Sequence, residues 1–462
     1  MLLKNKLDNI KTLLEADNVL ATLEERYCYA KDASNFKKTF KIPDIVVFVE
    51  DIEDVKKVVK YANLHDVPII PRGAGTNMVG ACVCEHGGIV LNFSKMNKIL
   101  EINPINMTAI VQPGVVLGDL KSKVEEIGLF YPPDPSNYKV STVGGSIAQS
   151  SGGALSFKYG TTKDYILSLK VVTAEGELMQ LGAETTKDAM GYHLNQLIIG
   201  SEGTLAIVVE ATLKLIPKPE AKKNVIAYFN KYEDAILAVK EITSKSVFPA
   251  SIDFMDRNSM ITVEDFTHCG FKIEFECALL IDLDGLEASM EEQLTKVRSA
   301  LVSANVAEII IPNDKEESEK YWTARRSSYA ASTRLAPDVL SEDIIVPRDK
   351  LIHLIKHCEL ISTQFNLRIC LVGHIGDGNL HPQFVLNLEN EEEYRNYLSA
   401  KSSLYKIVNE LGGAISAEHG IGIEKKSYLE NTIDKEAMKY MRLVKKAFDP
   451  KNILNPGKIF DL

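Results

Sequence analysis

The sequence predicts an α+β protein in which a glycine-rich first half joins a second half of alternating helices and strands. Three observations carry that expectation. Residues 44–72 have the pattern of a strand–helix–strand unit, residues 71–220 are dense in glycine between short strands, and from residue 224 the texture changes to longer helices and strands.

Taken in order, DIVVFV (44–49) reads as a strand, and Ile52, Val55, Val58, Val59 and Ala62 then share one helix face. VPII (67–70) is a buried strand that runs into Pro71. GIVLNF, TAIVQP and TLAIVVEATLKLIP are further strands, and the Pro217/Pro219 pair marks a linker. Leu286, Met290, Leu294, Val297 and Leu301 make one stripe of a helix over 286–301, followed by the strand VAEIII. Asp434 is placed to cap a last helix, with Ala437, Met438, Met441, Val444 and Phe448 on its apolar face, that stops before Pro450. At roughly 150 residues per domain, the chain of 462 has length for two or three units. The expected boundaries are 1–218 with an N-terminal helical segment, 219–412, and 413–462.

Composition narrows the function. Fifty-three basic residues against 63 acidic ones give a net charge of −10, which argues against a nucleic-acid partner. The even spread of aliphatic residues argues against disorder and coiled coil. No apolar run reaches the roughly twenty residues of a transmembrane segment. MLLKNKLDNIKTLLEA (1–16) is amphipathic and charged throughout, unlike a signal peptide. Seven cysteines without framework spacing point to a reducing, cytoplasmic location. A soluble enzyme is expected.

The first stretch with chemistry is PRGAGTN (71–77), continuing to Gly80. Gly73 and Gly75 let backbone N–H groups approach a diphosphate closely, because nothing projects from them. Met78 occupies the third glycine position of a G-x-G-x-x-G fingerprint, so a doubly wound dinucleotide fold is not indicated. PPDPS (132–136), STVGGSIAQSSGG (141–153) and GSEGTLAI (200–207) add small residues and hydroxyls suited to a large flat ligand.

These four stretches, in this order, resemble the FAD-binding half of the FAD-linked oxidases of the vanillyl-alcohol-oxidase type. From about residue 40 onward the chain resembles the D-lactate dehydrogenase/glycolate oxidase branch of that group, which includes D-2-hydroxyglutarate dehydrogenase. The resemblance implies a vanillyl-alcohol-oxidase-type FAD-binding domain, an α+β substrate (cap) domain and a C-terminal helical segment, 413–462, that returns to the FAD-binding domain. It implies that Arg72, Gly73, Ala74, Gly75, Thr76, Asn77 and Gly80 hold the pyrophosphate. By the same matching Asp134, Ser141, Thr142, Gly144, Gly145, Ser151, Gly152, Gly160, Glu202, Gly203 and Ile207 line the rest of the cofactor, with Asn455 of the tail DPKNILNPGK against the ring. The first loop has neither histidine nor cysteine, so FAD is expected to be non-covalent; Cys82, Cys84 and His86 lie slightly beyond.

RICLVGHIGDGNLHPQFVL (368–386) reads as two strands around a turn, with Asp377-Gly378 as a type I′ signal. With those two residues as the loop, His374 and His381 face each other with side-chain bases roughly 5 Å apart and can share a divalent ion with a carboxylate from elsewhere. SAEHG (416–420) offers Glu418 and His419, which in extended backbone point opposite ways unless the chain bends at Gly420. The resemblance assigns His374, His381 and Glu418 to the metal (zinc, iron or manganese) and His419 to the catalytic base. It also puts the substrate arginine at Arg325 in WTARR, where a guanidinium clamps a carboxylate with two parallel hydrogen bonds. Tyr329 and Asn379 are expected beside it as substrate-binding residues, whereas Arg326 is expected at the surface.

Relatives acting on a dicarboxylate carry a lysine near the position of Ser341 in SEDIIVP. Its absence favours a short monocarboxylate, D-lactate ahead of glycolate. The cysteines lack ferredoxin spacing, so electrons are expected to leave to an electron-transferring flavoprotein or an iron–sulfur subunit. The alternatives are a sugar or alditol oxidase of the same superfamily and a non-catalytic FAD-holding subunit.

Overall fold

The structure, a computed structural model, describes residue 10 and residues 13–37 and 40–462. The amphipathic opening expected over 1–16 falls mostly outside them.

The apolar run Ile45–Phe48 pairs in parallel with Ile89–Asn92, which pairs in parallel with Ile69–Arg72. Parallel neighbours need a crossover, and the helix Ile52–His65 supplies one. Its first turn is capped by the Asp51 side chain, which accepts from the Asp54 N–H, and Asp66 ends it in the left-handed region at φ 53°. Val55, Val58, Val59 and Ala62 bury their face against Ile45, Val47, Ile89 and Leu91. Each valine withdrawn from water contributes about 1.5–3 kcal/mol relative to exposure. A five-stranded antiparallel sheet follows, ordered Ile99–Asn103, Thr108–Val111, Ile207–Lys214, Ile166–Val172, Leu178–Gly182. The tail lies against this half: Ile69 N–H donates to Ile453 O at 2.7 Å, and Asn455 N–H donates to Ile69 O at 2.7 Å.

After Pro217 the chain enters a further, larger sheet. Its order is Glu308–Ile310, Ala221–Phe229, Cys277–Gly285, Ser251–Asp256, Arg368–His374, Asn379–Leu386, Asp338–Ser341, with Ile344–Ile345 pairing beside the sixth. One face, with Val225, Phe229, Ile252, Phe254 and Ile281, is buried under helices such as Tyr232–Ser244, Met290–Ser303 and Leu351–Gln364. The opposite face is covered only in part. Ile226, Met255, Leu280 and Val372 pack beneath Arg257–Thr267 and Lys315–Arg326, and the remainder opens onto a cavity. Because side chains alternate along a strand, that open remainder presents Asn224, Asp282, Ser251, Asp253, His374, His381 and Gln383 together.

Three local expectations change. The stripe over 286–301 begins at Met290, because a 3-10 turn over Glu287–Ser289 precedes the helix and leaves Leu286 exposed. In the last helix, Lys435–Phe448, Met441 is exposed. Lys445 is buried instead, its ammonium bonded to Thr204 O, Leu454 O and Asp449. The hairpin register is shifted by two residues: His374 stands opposite Asn379 and His381 opposite Val372, leaving a four-residue loop 375–378. A type I′ turn needs positive φ at both loop residues; Gly378 has φ 99° but Asp377 is not in the left-handed region. A shift of two keeps the face, so the two histidines remain diagonal neighbours, ring centroids 5.3 Å apart.

Candidate active site

Glu418 is the centre of the cluster. Its Oε1 lies 3.1 Å from His381 Nε2, 3.8 Å from His374 Nε2 and 3.8 Å from His419 Nε2. His381 and His419 stack, centroids 5.2 Å apart and planes at 12°. Glu418 and His419 therefore turn to the same point, unlike the opposed directions of an extended backbone. The cause is a residue sequence reasoning passed over. The Oδ2 of Asp343 accepts from the N–H groups of Ala417 (2.8 Å), Glu418 (2.9 Å) and His419 (2.8 Å) and from Ser416 Oγ (2.9 Å). Three successive N–H groups on one oxygen force a tight concave backbone, and Gly420 at φ 86° completes the bend. Burial opposes the charge on Asp343, but His419, Lys425, His381 and those N–H groups outweigh it and hold the carboxyl far below its ordinary range.

A second carboxylate, Asp253, organises the other side. Its Oδ1 lies 2.7 Å from His374 Nδ1 and its Oδ2 lies 3.0 Å from Arg325 Nε. Burial works against a charged His374, yet Asp253 outweighs it and raises the imidazole to about 9. Burial dominates at His419 and holds it below its ordinary value, so at neutral pH that ring is a neutral acceptor. Strand periodicity alone would have put residues 251, 253 and 255 on one face; nothing in the sequence tied Asp253 to Arg325 and His374.

Arg325, buried, lines the cavity with Trp322, Tyr329 and the four-residue cluster. Tyr329 is anchored by its hydroxyl, which donates to Val339 O at 3.2 Å. One expectation is corrected. Asn379 does not face the cavity: its Nδ2 donates to Asp343 Oδ1 (3.0 Å) and Ile344 O (2.9 Å), so it steadies Asp343. Gln383, two residues beyond His381 on the same face, lines the cavity in its place. Arg326 is exposed, as expected of a surface charge, and stands at the rim of the cavity bonded to Glu319 at 3.2 Å.

A second cleft, in the glycine-rich half, meets this cavity at Met78, Ser136, Glu418 and His419. Gly73, Ala74, Gly75, Thr76, Asn77, Ser141, Thr142, Gly145, Ser151, Glu202 and Gly203 line it, and Arg72, Gly144 and Ile207 line its extension. Among residues not named individually from the sequence, Gln149 and Asn137 line it too, and Cys82, expected slightly beyond the first loop, also reaches it. The cleft exists because side chains are missing. A Cβ on Gly73 would stand 2.2 Å from Thr142 Oγ1, and one on Gly75, at φ 74°, 2.1 Å from an Arg72 nitrogen. Gln149 Oε1 is buried with no hydrogen-bond partner among the described residues, a group awaiting a donor. Small residues, hydroxyls and an orphaned acceptor fit a flavin dinucleotide.

The other expected cofactor residues lie elsewhere. Gly80 packs on Phe36 and Ile423, and Gly152 gives room to Glu418. Gly160 ends the short helix Ser156–Tyr159 at φ 82°. Asp134 pairs with Lys121 at 3.1 Å in the larger cavity. Asn455 sits behind the cleft, its Nδ2 donating to Ala81 O (2.8 Å) and Glu202 O (2.6 Å). For a divalent ion, two imidazoles and a carboxylate are a fitting donor set. Asp343, His381, Glu418 and His419 each offer an atom within 4.8 Å of the others, but the Asp343 oxygens are committed to the backbone, Ser416 and Asn379.

Comparison with known proteins agrees with this geometry. The profile for FAD linked oxidases, C-terminal domain, matches residues 218–459, and that for an FAD binding domain matches residues 43–182. The chain is 40% identical to glycolate oxidase subunit GlcD of Bacillus subtilis (strain 168), over 94% of this chain and 92% of that protein. It is 35% identical to D-lactate dehydrogenase of Anaerostipes hadrus, over 90% and 89%. Among solved structures, substrate-bound p-cresol methylhydroxylase superposes with a TM-score of 0.83 at 16% identity, covering 100% of this chain and 97% of that one. The fold is thus of the vanillyl-alcohol-oxidase type, α+β, with no barrel among the described residues.

Proposed function

Because this chain belongs to the FAD-linked oxidases and is a flavoprotein oxidoreductase of 2-hydroxy acids, we propose that it oxidises a short D-2-hydroxy acid, D-lactate ahead of glycolate, to the 2-oxo acid. The observation that carries this reading is the convergence of three imidazole Nε2 atoms on Glu418 Oε1 in the wall shared by the two cavities.

FAD, when bound in the glycine-lined cleft, supplies the acceptor for the hydride from C2. His374, His381 and Glu418 would hold a divalent ion, which would supply a Lewis acid beside the substrate hydroxyl. Asp253 keeps the Nε2 of His374 turned toward Glu418 by bonding its Nδ1, as carboxylates do behind metal-binding imidazoles. Arg325, fixed by the same aspartate, receives the substrate carboxylate. His419, neutral and 3.8 Å from Glu418 Oε1, takes the hydroxyl proton at Nε2. Cys82 reaches the cleft, but burial pushes its thiol up to about 12, which supports non-covalent FAD.

The electrons pass to a soluble protein acceptor, an electron-transferring flavoprotein first and an iron–sulfur subunit second. That a relative is named as a subunit supports a protein partner. Seven free cysteines support a cytoplasmic location, and no helix among the described residues is long and apolar enough to cross a membrane. Anaerobic bleaching of the flavin spectrum by a panel of D- and L-2-hydroxy acids, with metal analysis of the same sample, tests the reading. D-lactate is expected to bleach the flavin of a protein carrying about one ion per chain. A flavin unchanged by every acid would overturn it.

A further inference from the structure

The cavity is far larger than a three-carbon acid needs. Its volume is about 450 Å³, in the range of pockets that enclose much larger ligands. It continues away from the cluster along the open face of the large sheet. There Asn224, Asp282 and Ser251 stand directly opposite one another on three adjacent strands. The row spans about 10 Å at strand spacing, and Ser251 lies two residues, about 7 Å, along the strand from Asp253.

The row is polar, built and incomplete. Asn224 Nδ2 donates to Asp282 Oδ1 at 2.8 Å, and the Ser318 hydroxyl donates to Asn224 Oδ1. Burial pushes the Asp282 carboxyl up to about 6. Ser251 is completely buried, lines the cavity, and its Oγ has no hydrogen-bond partner among the described residues. An apolar substrate tail would leave that hydroxyl unpaired, at a cost. A second carboxylate would meet Asp282; of the two lysines lining this end, Lys121 is paired with Asp134 at 3.1 Å, and Lys222, exposed, already faces the Asp282 carboxylate. Hydroxyl groups, which donate and accept, satisfy the row.

We propose that the Asn224–Asp282–Ser251 row is a substrate-tail subsite, so that the enzyme also oxidises 2-hydroxy acids whose tails carry hydroxyls, that is, sugar acids of the aldonic class. The inference rests on the function proposed above and leaves its chemistry unchanged: C2 loses its hydride to FAD and its hydroxyl proton to His419, and the tail hydroxyls are untouched.

The test is rapid anaerobic flavin reduction of the FAD- and metal-loaded enzyme by D-gluconate, (R)-2-hydroxyhexanoate, (R)-2-hydroxyadipate and D-lactate, read as apparent Kd and limiting rate. D-gluconate is expected to bind at least about fivefold more tightly than the other two six-carbon acids, the worth of one hydrogen bond. Ser251→Ala and, separately, Asn224→Ala are expected to abolish that advantage, with the limiting rate and the D-lactate Kd within about twofold of wild type. Equal or better binding of the apolar or the dicarboxylic acid, or equal losses for gluconate and lactate in both variants, would overturn the subsite while leaving 2-hydroxy-acid oxidation standing. No reduction by any of the four acids would remove both.

Discussion

The two halves of the molecule build their cavities by opposite means. The glycine-rich half makes its cleft by omission: Gly73 and Gly75 leave the room, and backbone and hydroxyl groups line it. The large-sheet half makes its site by addition, collecting three imidazoles, a guanidinium and three carboxylates in a buried space. Buried charges need partners, and here each has one: Asp253 serves Arg325 and His374, and Asp343 serves the 417–419 backbone and the Ser416 hydroxyl. A site made by omission is written in contiguous sequence. A site made by addition depends on strands that come together from distant positions.

That contrast can be broken from either side. The largest effect is expected for His419→Ala, which should keep FAD and lose turnover by about 10²–10⁴-fold, the contribution of general base catalysis; a variant retaining substantial kcat would dismiss His419 as the base. Asp343→Asn is expected next. It weakens the acceptor for three backbone N–H groups and should lower metal content and kcat/KM about 10–100-fold, as losses behind metal ligands do. Unchanged metal content in that variant would show the cradle to be dispensable.

On the opposite side, Gly75→Ala adds a Cβ where φ is 74° and Arg72 is 2.1 Å away. FAD affinity should fall about tenfold by flavin-release titration, matching a backbone penalty of about 1–2 kcal/mol, with metal content unaffected. Metal loss alongside flavin loss would deny that the two halves bind independently.

The smallest effect concerns stability. Burial opposes the charge of Glu342, but Lys401, Lys425, Tyr397 and Tyr405 outweigh it and hold the carboxyl below its ordinary range. Its folded value is lowered, so its stabilisation is present above the ordinary carboxylate range and is lost as pH falls. Between about pH 5 and pH 3 the Tm of the wild type should drop more steeply than that of Glu342→Gln. Parallel curves would show that Glu342 takes up its proton alike in both states.

Much of the lining of the glycine-rich cleft was legible because its markers are local: Gly73 to Asn77, Ser141 to Gly145 and Glu202-Gly203 needed only to be read in order. His374, His381, Glu418 and Arg325 were legible as motifs. Their supports were not. Asp253 and Asp343 sit in ordinary strand and loop sequences, and their importance follows from a register that sequence leaves open. The hairpin shows why. Asp377-Gly378 carries the signal of a two-residue turn, yet the loop takes four residues, and Asn379 lands on Asp343 instead of in the cavity. His374 and His381 survived the slip because it was by two, which preserves the face of a pleated strand.

The cradle on Asp343 Oδ2 ties two distant stretches of the chain into one heritable unit. A replacement at 343 that moves or removes that oxygen releases three peptide groups at once, and no single side-chain change within 416–419 restores them, because the donors are main-chain atoms. Divergent descendants of this chain can therefore retune the walls around their substrate freely, but they must either keep the aspartate or rebuild the whole loop in one step.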